Sequence, residues 1–224
     1  MPRIVALVPM RAGSERVPDK NIRPFAGRPL YHHLVRTLLA VAEITEILID
    51  TDSHPILEEA PRLFERVRVV ERPEHLRAGT VPMNDVLLHD VNYVEADWYL
   101  QTHSTNPLLR AETVSRAIRA LLAAPDRDSL FGVTRLFTRL WGPGAAPVNH
   151  DPAVLLRTQD LPPIYEENSN LYIFQRGKLE ARGNRIGERP LMFEIDRAEA
   201  WDIDEMLDFE IAEFLYRRRE AAAS

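Results

Sequence analysis

The chain has 224 residues, 45% apolar and 28% charged, which is the composition of one ordinary globular domain. Its net charge of −6 argues against nucleic-acid binding, and no apolar run reaches the roughly 18 residues a membrane span needs. Cysteine is absent, which excludes disulfides, thiolate metal centres and a cysteine nucleophile. Residues 4–8, IVALV, form a continuous apolar run stopped by Pro9, as expected of a strand covered on both faces. No secretory-type apolar core precedes it, so a cytoplasmic protein is expected. A polar loop with Gly13, Pro18, Pro24 and Gly27 follows. Leu34, Leu38, Leu39 and Val41 then predict a helix over 30–42. A short strand over 47–49 closes on Asp50-Thr51-Asp52-Ser53, and Pro55 opens a helix to about Phe64. Further strands are expected over 67–70, 98–100 and 130–133, with helices over 82–91 and 112–122.

Strands alternating with helices imply an α/β fold: three layers, a mostly parallel sheet and helices on both faces. Ligands of such sheets sit beyond the carboxyl ends of the strands. The loops after Val8, Ile49, Val70 and Leu100 all open on that edge. From residue 136 to 167 the periodicity fades, and Pro143, Pro147, Pro152, Pro162 and Pro163 break any helix. This segment reads as an arm inserted into a single domain spanning 1–224. Strand character resumes over 171–174 and 191–195. An amphipathic helix over 206–219 closes the chain, with Arg217, Arg218 and Arg219 complementing its dipole.

Several familiar motifs are missing. The first loop has neither the G-x-x-x-x-G-K-[ST] of a P-loop nor a G-x-G-x-x-G fingerprint, and no H-E-x-x-H or G-x-S-x-G occurs. His32-His33 lacks metal-ligand spacing and reads as structural. The first loop nevertheless concentrates charge. Arg11, Arg16, Lys20, Arg23 and Arg28 face only Glu15 and Asp19. Lys20 is one of two lysines in an arginine-rich chain, the other being Lys178. Ala12, Gly13 and Ser14 are small enough for backbone N–H groups to approach an anion, and the basic side chains complete a cradle for a polyphosphate. The competing reading is a solvated basic loop.

The stretch from Pro9 to Leu30, PMRAGSERVPDKNIRPFAGRPL, resembles the N-terminal signature of the CMP-sugar-acid synthetases, the acylneuraminate cytidylyltransferases and their relatives. Its pattern P-x-R-x-G-S-x-R-x-P-x-K-N, then G-x-P-L, is met at every fixed position. The resemblance extends to Ile49-Asp50-Thr51-Asp52, Arg72-Pro73, Thr158-Gln159-Asp160-Leu161-Pro162, Glu167 to Phe174, and Trp201-Asp202-Ile203-Asp204 with Asp208. Two segments depart from it. Gln101 to Leu108 is two residues longer and more polar than the family's Q-P-T-S-P-L, and Asn168-Ser169 replaces Asn-Gly.

The resemblance implies a Rossmann-like nucleotidyltransferase fold with a dimerisation arm. It also implies transfer of CMP from CTP to a hydroxyl of an acidic sugar, with release of pyrophosphate. Arg11 and Lys20 carry over as the catalytic charges. Ala12, Gly13, Ser14, Arg16, Asn21, Arg72, Thr80 and Gln101 carry over as nucleotide contacts. Thr102, Ser104, Asn106, Glu167 and Asn168 fall where the acceptor would sit, although Glu167 and Asn168, in a loop before a strand, could equally cap a turn. Asp202 and Asp204, at i and i+2, share one face if extended and together suit a Mg²⁺ ion, while Asp204 also suits a helix N-cap. The implied partners are CTP, an acidic small-molecule acceptor and a second copy of the chain. Three alternatives stand: another anionic acceptor (3-deoxy-manno-octulosonate, a hydroxy acid or a phosphonate), a sugar-1-phosphate nucleotidyltransferase, and a non-catalytic nucleotide-binding module.

Overall fold

A computed structural model describes residues 2–223. Its centre is β1 (Ile4–Met10), in which every residue is buried. Alternation along β1 divides the interior in two. Ile4, Ala6 and Val8 join Tyr31, Leu34 and Leu38 of α1 (Leu30–Leu39) and Val114, Ile118 and Leu121 of α4 (Ala111–Leu122). Val5 and Leu7 face the other way, onto Leu87 of α3 (Met83–Asp90) and Leu179 of α5 (Arg176–Arg182). The sheet is therefore covered on both sides, as its apolar strands require.

Between β1 and α1, β2 (Pro24–Phe25) and β3 (Arg28–Pro29) form a tight hairpin. Ala26 and Gly27 both take positive φ there (46° and 90°), the backbone that glycine tolerates best. The main strands continue with β4 (Ile44–Thr51), β5 (Val67–Glu71), β6 (Trp98–Gln101) and β7 (Ser129–Leu136), and α2 (His54–Leu63) links β4 to β5. After the short hairpin of β8 (Trp141–Gly142) and β9 (Ala146–Pro147) come β10 (Ile164–Phe174), β11 (Pro190–Glu194) and α6 (Met206–Ala223). The seven-stranded sheet has the order β11-β7-β10-β6-β1-β4-β5. Only β10 runs antiparallel, to both β6 and β7. Among the described residues, no helix is long and apolar enough to cross a membrane.

Two elements differ from expectation. β10 begins at Ile164, inside the expected arm, so Glu167 and Asn168 lie within a strand and not in a loop before one. Its first half is mostly exposed and so carries no apolar alternation. The register also shifts between Glu167 and Tyr172, an irregularity that interrupts the ladder between β10 and β7. The short α5 buries only Leu179, too little for a periodic signal, and ends at Gly183 in the left-handed region.

A third cluster positions the functional loop. Val17, Phe25 and Leu30 pack with Ile203, Phe209 and Ala212, fastening the basic loop to the segment entering α6. His33 is buried beside it, and its Nε2–H donates to the Phe25 carbonyl at 2.8 Å. Burial pushes the His33 imidazole down to about 4. Below about pH 6.5 the unfolded chain binds a proton that the fold refuses, so stability falls as pH is lowered toward 4. At pH 5 this residue alone should cost about 2 kcal/mol. Denaturant melts at pH 7 and pH 5 should show a loss that shrinks in His33→Gln; an undiminished loss would assign it to other groups.

Candidate active site

The loops leaving the carboxyl ends of β1, β5 and β6 wall a cavity of about 590 Å³. Arg11, Arg16 and Lys20 line it from the first loop, together with Ser14 and Asn21. Arg72 and Thr80 line it from the segment after β5, and His103 and Ser104 from the loop after β6. Leu76, Val81, Met83 and Val86 give it an apolar wall. Three cations on the first loop, Arg72 also in the lining and an apolar slot suit a molecule with a polyphosphate and a flat ring.

Lys20 Nζ donates to the Ile203 carbonyl at 2.5 Å. Burial holds its ammonium below the usual lysine range, while Asp202 and Asp204 pull in the other direction. Arg16 pairs with Asp204 at 2.6 Å. Asn21 clamps the loop: its Nδ2 donates to the Arg11 carbonyl at 2.9 Å, and its Oδ1 accepts from Ser104 Oγ at 2.5 Å. The loop thus reaches the cavity already ordered.

The small residues are used differently from expectation. The Ala12 N–H donates to Asp52 Oδ1 at 2.5 Å, so that amide is engaged by a carboxylate. Ala12 and Gly13 do not line the cavity. Close approach is required instead at Gly79, where a Cβ would lie 2.4 Å from Arg11 Nη1. Gly79→Ala should therefore displace the mobile guanidinium and not the backbone. Thermal stability should hold within about 0.5 kcal/mol, as for surface changes, while activity falls about tenfold through a misplaced charge. Unchanged activity would remove Arg11 from the site.

A second cavity of about 490 Å³ opens beside Asp204, lined by Glu166, Glu167, Asn168, Ser169, Asp202 and Asp208 and, as its only basic residue, Arg197. The sequence-predicted residues Glu167, Asn168, Asp202 and Asp204 are brought together here. Asn168 Nδ2 donates to Thr134 Oγ1 at 3.1 Å, and Ser169 Oγ donates to Asp202 Oδ2 at 2.9 Å. Asp202 Oδ1 is buried with no hydrogen-bond partner among the described residues. Asp204 does not cap α6 with its side chain; Asp208 Oδ2 accepts the N–H groups of Asp204 (3.1 Å) and Glu205 (2.8 Å). The Arg16–Asp204 pair joins the cation-lined cavity to the carboxylate-lined one.

Gln101, Thr102 and Asn106 line neither cavity. All three are buried, Gln101 at the end of β6 and Thr102 and Asn106 in the loop after it, which folds inward. Asn106 Nδ2 is turned toward the Trp201 carbonyl at 3.4 Å. The Gln101 amide instead begins a network that sequence reasoning missed. Gln101 Nε2 donates to His103 Nε2 at 2.8 Å, and Arg185 Nη1 donates to Gln101 Oε1 at 2.6 Å. The Arg185 guanidinium lies 3.5 Å from the centre of the Tyr172 ring, and Tyr172 donates to Glu167 at 2.7 Å. Burial, with Arg185 and Lys20 nearby, pushes His103 down to about 3, and burial pushes Tyr172 up to about 12. Both stay uncharged at neutral pH, and His103 accepts at Nε2, so its proton sits on Nδ1. The polar character of the 101–108 segment hinted at His103; Arg185 belongs to no motif.

A mostly parallel sheet whose carboxyl edge carries a three-cation loop beside a carboxylate-lined cavity defines a nucleotidyl-transfer type of site. Residues 5–221 match the cytidylyltransferase family, and the chain belongs to it. It is 25% identical to post-translational flagellin modification protein B of Campylobacter coli, over 100% of this chain and 99% of that one. It is 27% identical to CMP-N,N'-diacetyllegionaminic acid synthase of Legionella pneumophila, over 98% of this chain and 99% of the relative. Some longer relatives are matched over only about half their length. In fold, the chain is similar to a CMP:2-keto-3-deoxy-manno-octonic acid synthetase complexed with CTP, with a TM-score of 0.72, 16% identity and coverage of 97% and 99%.

Proposed function

We propose that this cytidylyltransferase moves CMP from CTP to a hydroxyl of an acidic sugar of the nonulosonic (sialic-acid-like) class. The observation that carries this reading is the adjacency of the two cavities across Arg16–Asp204. The triphosphate occupies the first cavity, against Arg11, Arg16 and Lys20, with the pyrimidine near Arg72, Thr80 and the apolar wall. The acceptor occupies the second, near Glu167, Asn168 and Ser169. Its hydroxyl oxygen attacks the α-phosphorus, the bond to the bridging oxygen of the β-phosphate breaks, pyrophosphate leaves and the hydroxyl proton is lost. The three cations offset charge on the phosphoryl oxygens and on the leaving group, where preorganised electrostatics acts most strongly.

The second cavity fits a Mg²⁺ ion. The orphaned Asp202 Oδ1 and the carboxylate of Asp204 are hard oxygen donors of the required kind. Asp202 and Asp204 would hold the ion, which when bound offsets phosphate charge. Five carboxylates against one arginine line this cavity, so an anionic acceptor enters only when that charge is compensated. Pyrophosphate release with each of the four common nucleoside triphosphates, across a panel of acidic acceptors, tests the reading. CTP with a nonulosonic acid should win, and a preference for a sugar 1-phosphate would overturn it. Such an enzyme works in the cytoplasm, where CTP is supplied.

The same reading treats the chain as one domain with an arm between β7 and β10 that forms a two-fold homodimer. Phe137 (45% exposed), Trp141 (51%), Val154 (52%) and Leu155 (89%) stand out of this arm. Covering each such side chain fully is worth about 1.5–3 kcal/mol. The interface should exceed about 1,000 Å². Light scattering at micromolar concentration should give twice the chain mass; a fully active monomer would overturn the dimer.

A further inference from the structure

We propose that Asp50 and Asp90 form a buried acid pair whose task is to hold Arg72 in the wall of the nucleotide cavity, making both aspartates positioning residues for nucleotide recognition. The inference rests on the assignment of that cavity to CTP. Asp50 lies near the end of β4 and Asp90 at the end of α3, with exposures of 0% and 1%. Two carboxyl groups buried between a sheet and a helix are costly unless each is compensated. Arg72 compensates the first: its Nε lies 3.1 Å from both Asp50 oxygens, and its Nη2 donates to the Asp50 carbonyl at 3.3 Å. Its Nη1 takes no partner among the described residues, while Arg72 itself lines the cavity. That nitrogen is left to donate to a ligand, and cytosine offers acceptors at O2 and N3.

Among the described residues, Asp90 has no basic partner beyond the His89 ring, whose Nδ1 lies 3.2 Å from Asp90 Oδ1, and Asp90 Oδ2 is buried without a hydrogen-bond partner. Asp50, His89 and Asp90 offer oxygen and nitrogen atoms all within 4.8 Å of one another. Two carboxylates beside one guanidinium carry a net negative charge, and a proton held on Asp50 restores neutrality. Burial and the neighbouring Asp90 accordingly push Asp50 up to about 7 against the opposing pull of Arg72. A metal ion here would compete with Arg72 for both Asp50 oxygens and be repelled by the guanidinium, so the proton is the better counter-charge.

The test is a double-mutant cycle read by CTP binding with the intact protein, using calorimetry. Asp50→Asn and Arg72→Lys should each weaken CTP binding about tenfold, the size expected for losing a hydrogen bond to a charged group. The double variant should be no weaker than the weaker single one, because both changes remove one device. Asp90→Asn, which keeps a donor toward Asp50, should stay within about twofold of wild type, and Asp90→Leu should resemble Asp50→Asn. Wild-type affinity in Asp50→Asn with only a lower Tm would make the pair merely structural and overturn the inference. So would additive losses, or a stoichiometric metal that is lost in Asp50→Asn yet retained in Asp204→Asn. A wild type that binds another nucleotide in place of CTP would refute the functional reading alone, and the same cycle run with that nucleotide would still decide on the pair.

Discussion

Lys20→Ala should lower turnover by about 10²–10³-fold, the loss seen when one preorganised donor to a transition-state charge is removed. The fold should survive, because among the described residues the ammonium makes a single hydrogen bond, to the Ile203 carbonyl at 2.5 Å. The loop itself is held by Val17 in the cluster with Ile203 and by the Asn21 clamp, neither of which the substitution touches. Lys20→Arg should restore activity only in part, since a planar fork replaces a point charge in a crowded position. The measurement is steady-state pyrophosphate release together with a thermal melt. Full activity in Lys20→Ala would remove the phosphate cradle from the account.

Asp204→Asn should produce the second large effect, a collapse of activity with a raised Mg²⁺ requirement and almost no change in stability. Helix capping does not depend on this side chain, because Asp208 accepts the N–H groups at the start of α6. The Arg16–Asp204 pair is exposed on both sides (60% and 52%), so its loss costs little folding free energy. An amide is a poorer ligand than a carboxylate for a hard cation. Magnesium titrations of activity, paired with denaturant melts, separate the possibilities. An active but unstable Asp204→Asn would reduce the residue to a structural ion pair.

The parts of the fold that were legible in the sequence bury continuous or periodic apolar side chains. IVALV announced β1, and the 3.6-residue patterns announced α1 and α4, because each meets a fully covered face. The exposed half of β10 and the polar α5 gave no such signal. At the site, the basic loop was legible as charge density, and its geometry brings Arg11, Arg16 and Lys20 to one cavity. What single residues do there was harder to read. Gly13 drew attention because it lies in the motif, yet the close approach falls at Gly79, sixty-six positions away in sequence and beside Arg11 only in space. Gln101 and Asn106 carry amides suited to ligand contact, but the end of β6 and the inward turn after it spend those amides on His103, Arg185 and Trp201. Asp50 and Asp90 meet only because α3 packs on the face of the sheet that β4 shares with β1, a neighbour relation that residue spacing along the chain does not encode.

In the proposed reaction CMP leaves CTP and becomes bonded to an acidic sugar. Mass spectrometry of the product formed from CTP, Mg²⁺ and a nonulosonic acid tests it most directly. The expected product is a conjugate with the mass of the acceptor plus CMP less one water, accumulating in equal amount with pyrophosphate. Pyrophosphate formed without that conjugate, or a conjugate formed only from a sugar 1-phosphate and another nucleoside triphosphate, would contradict it.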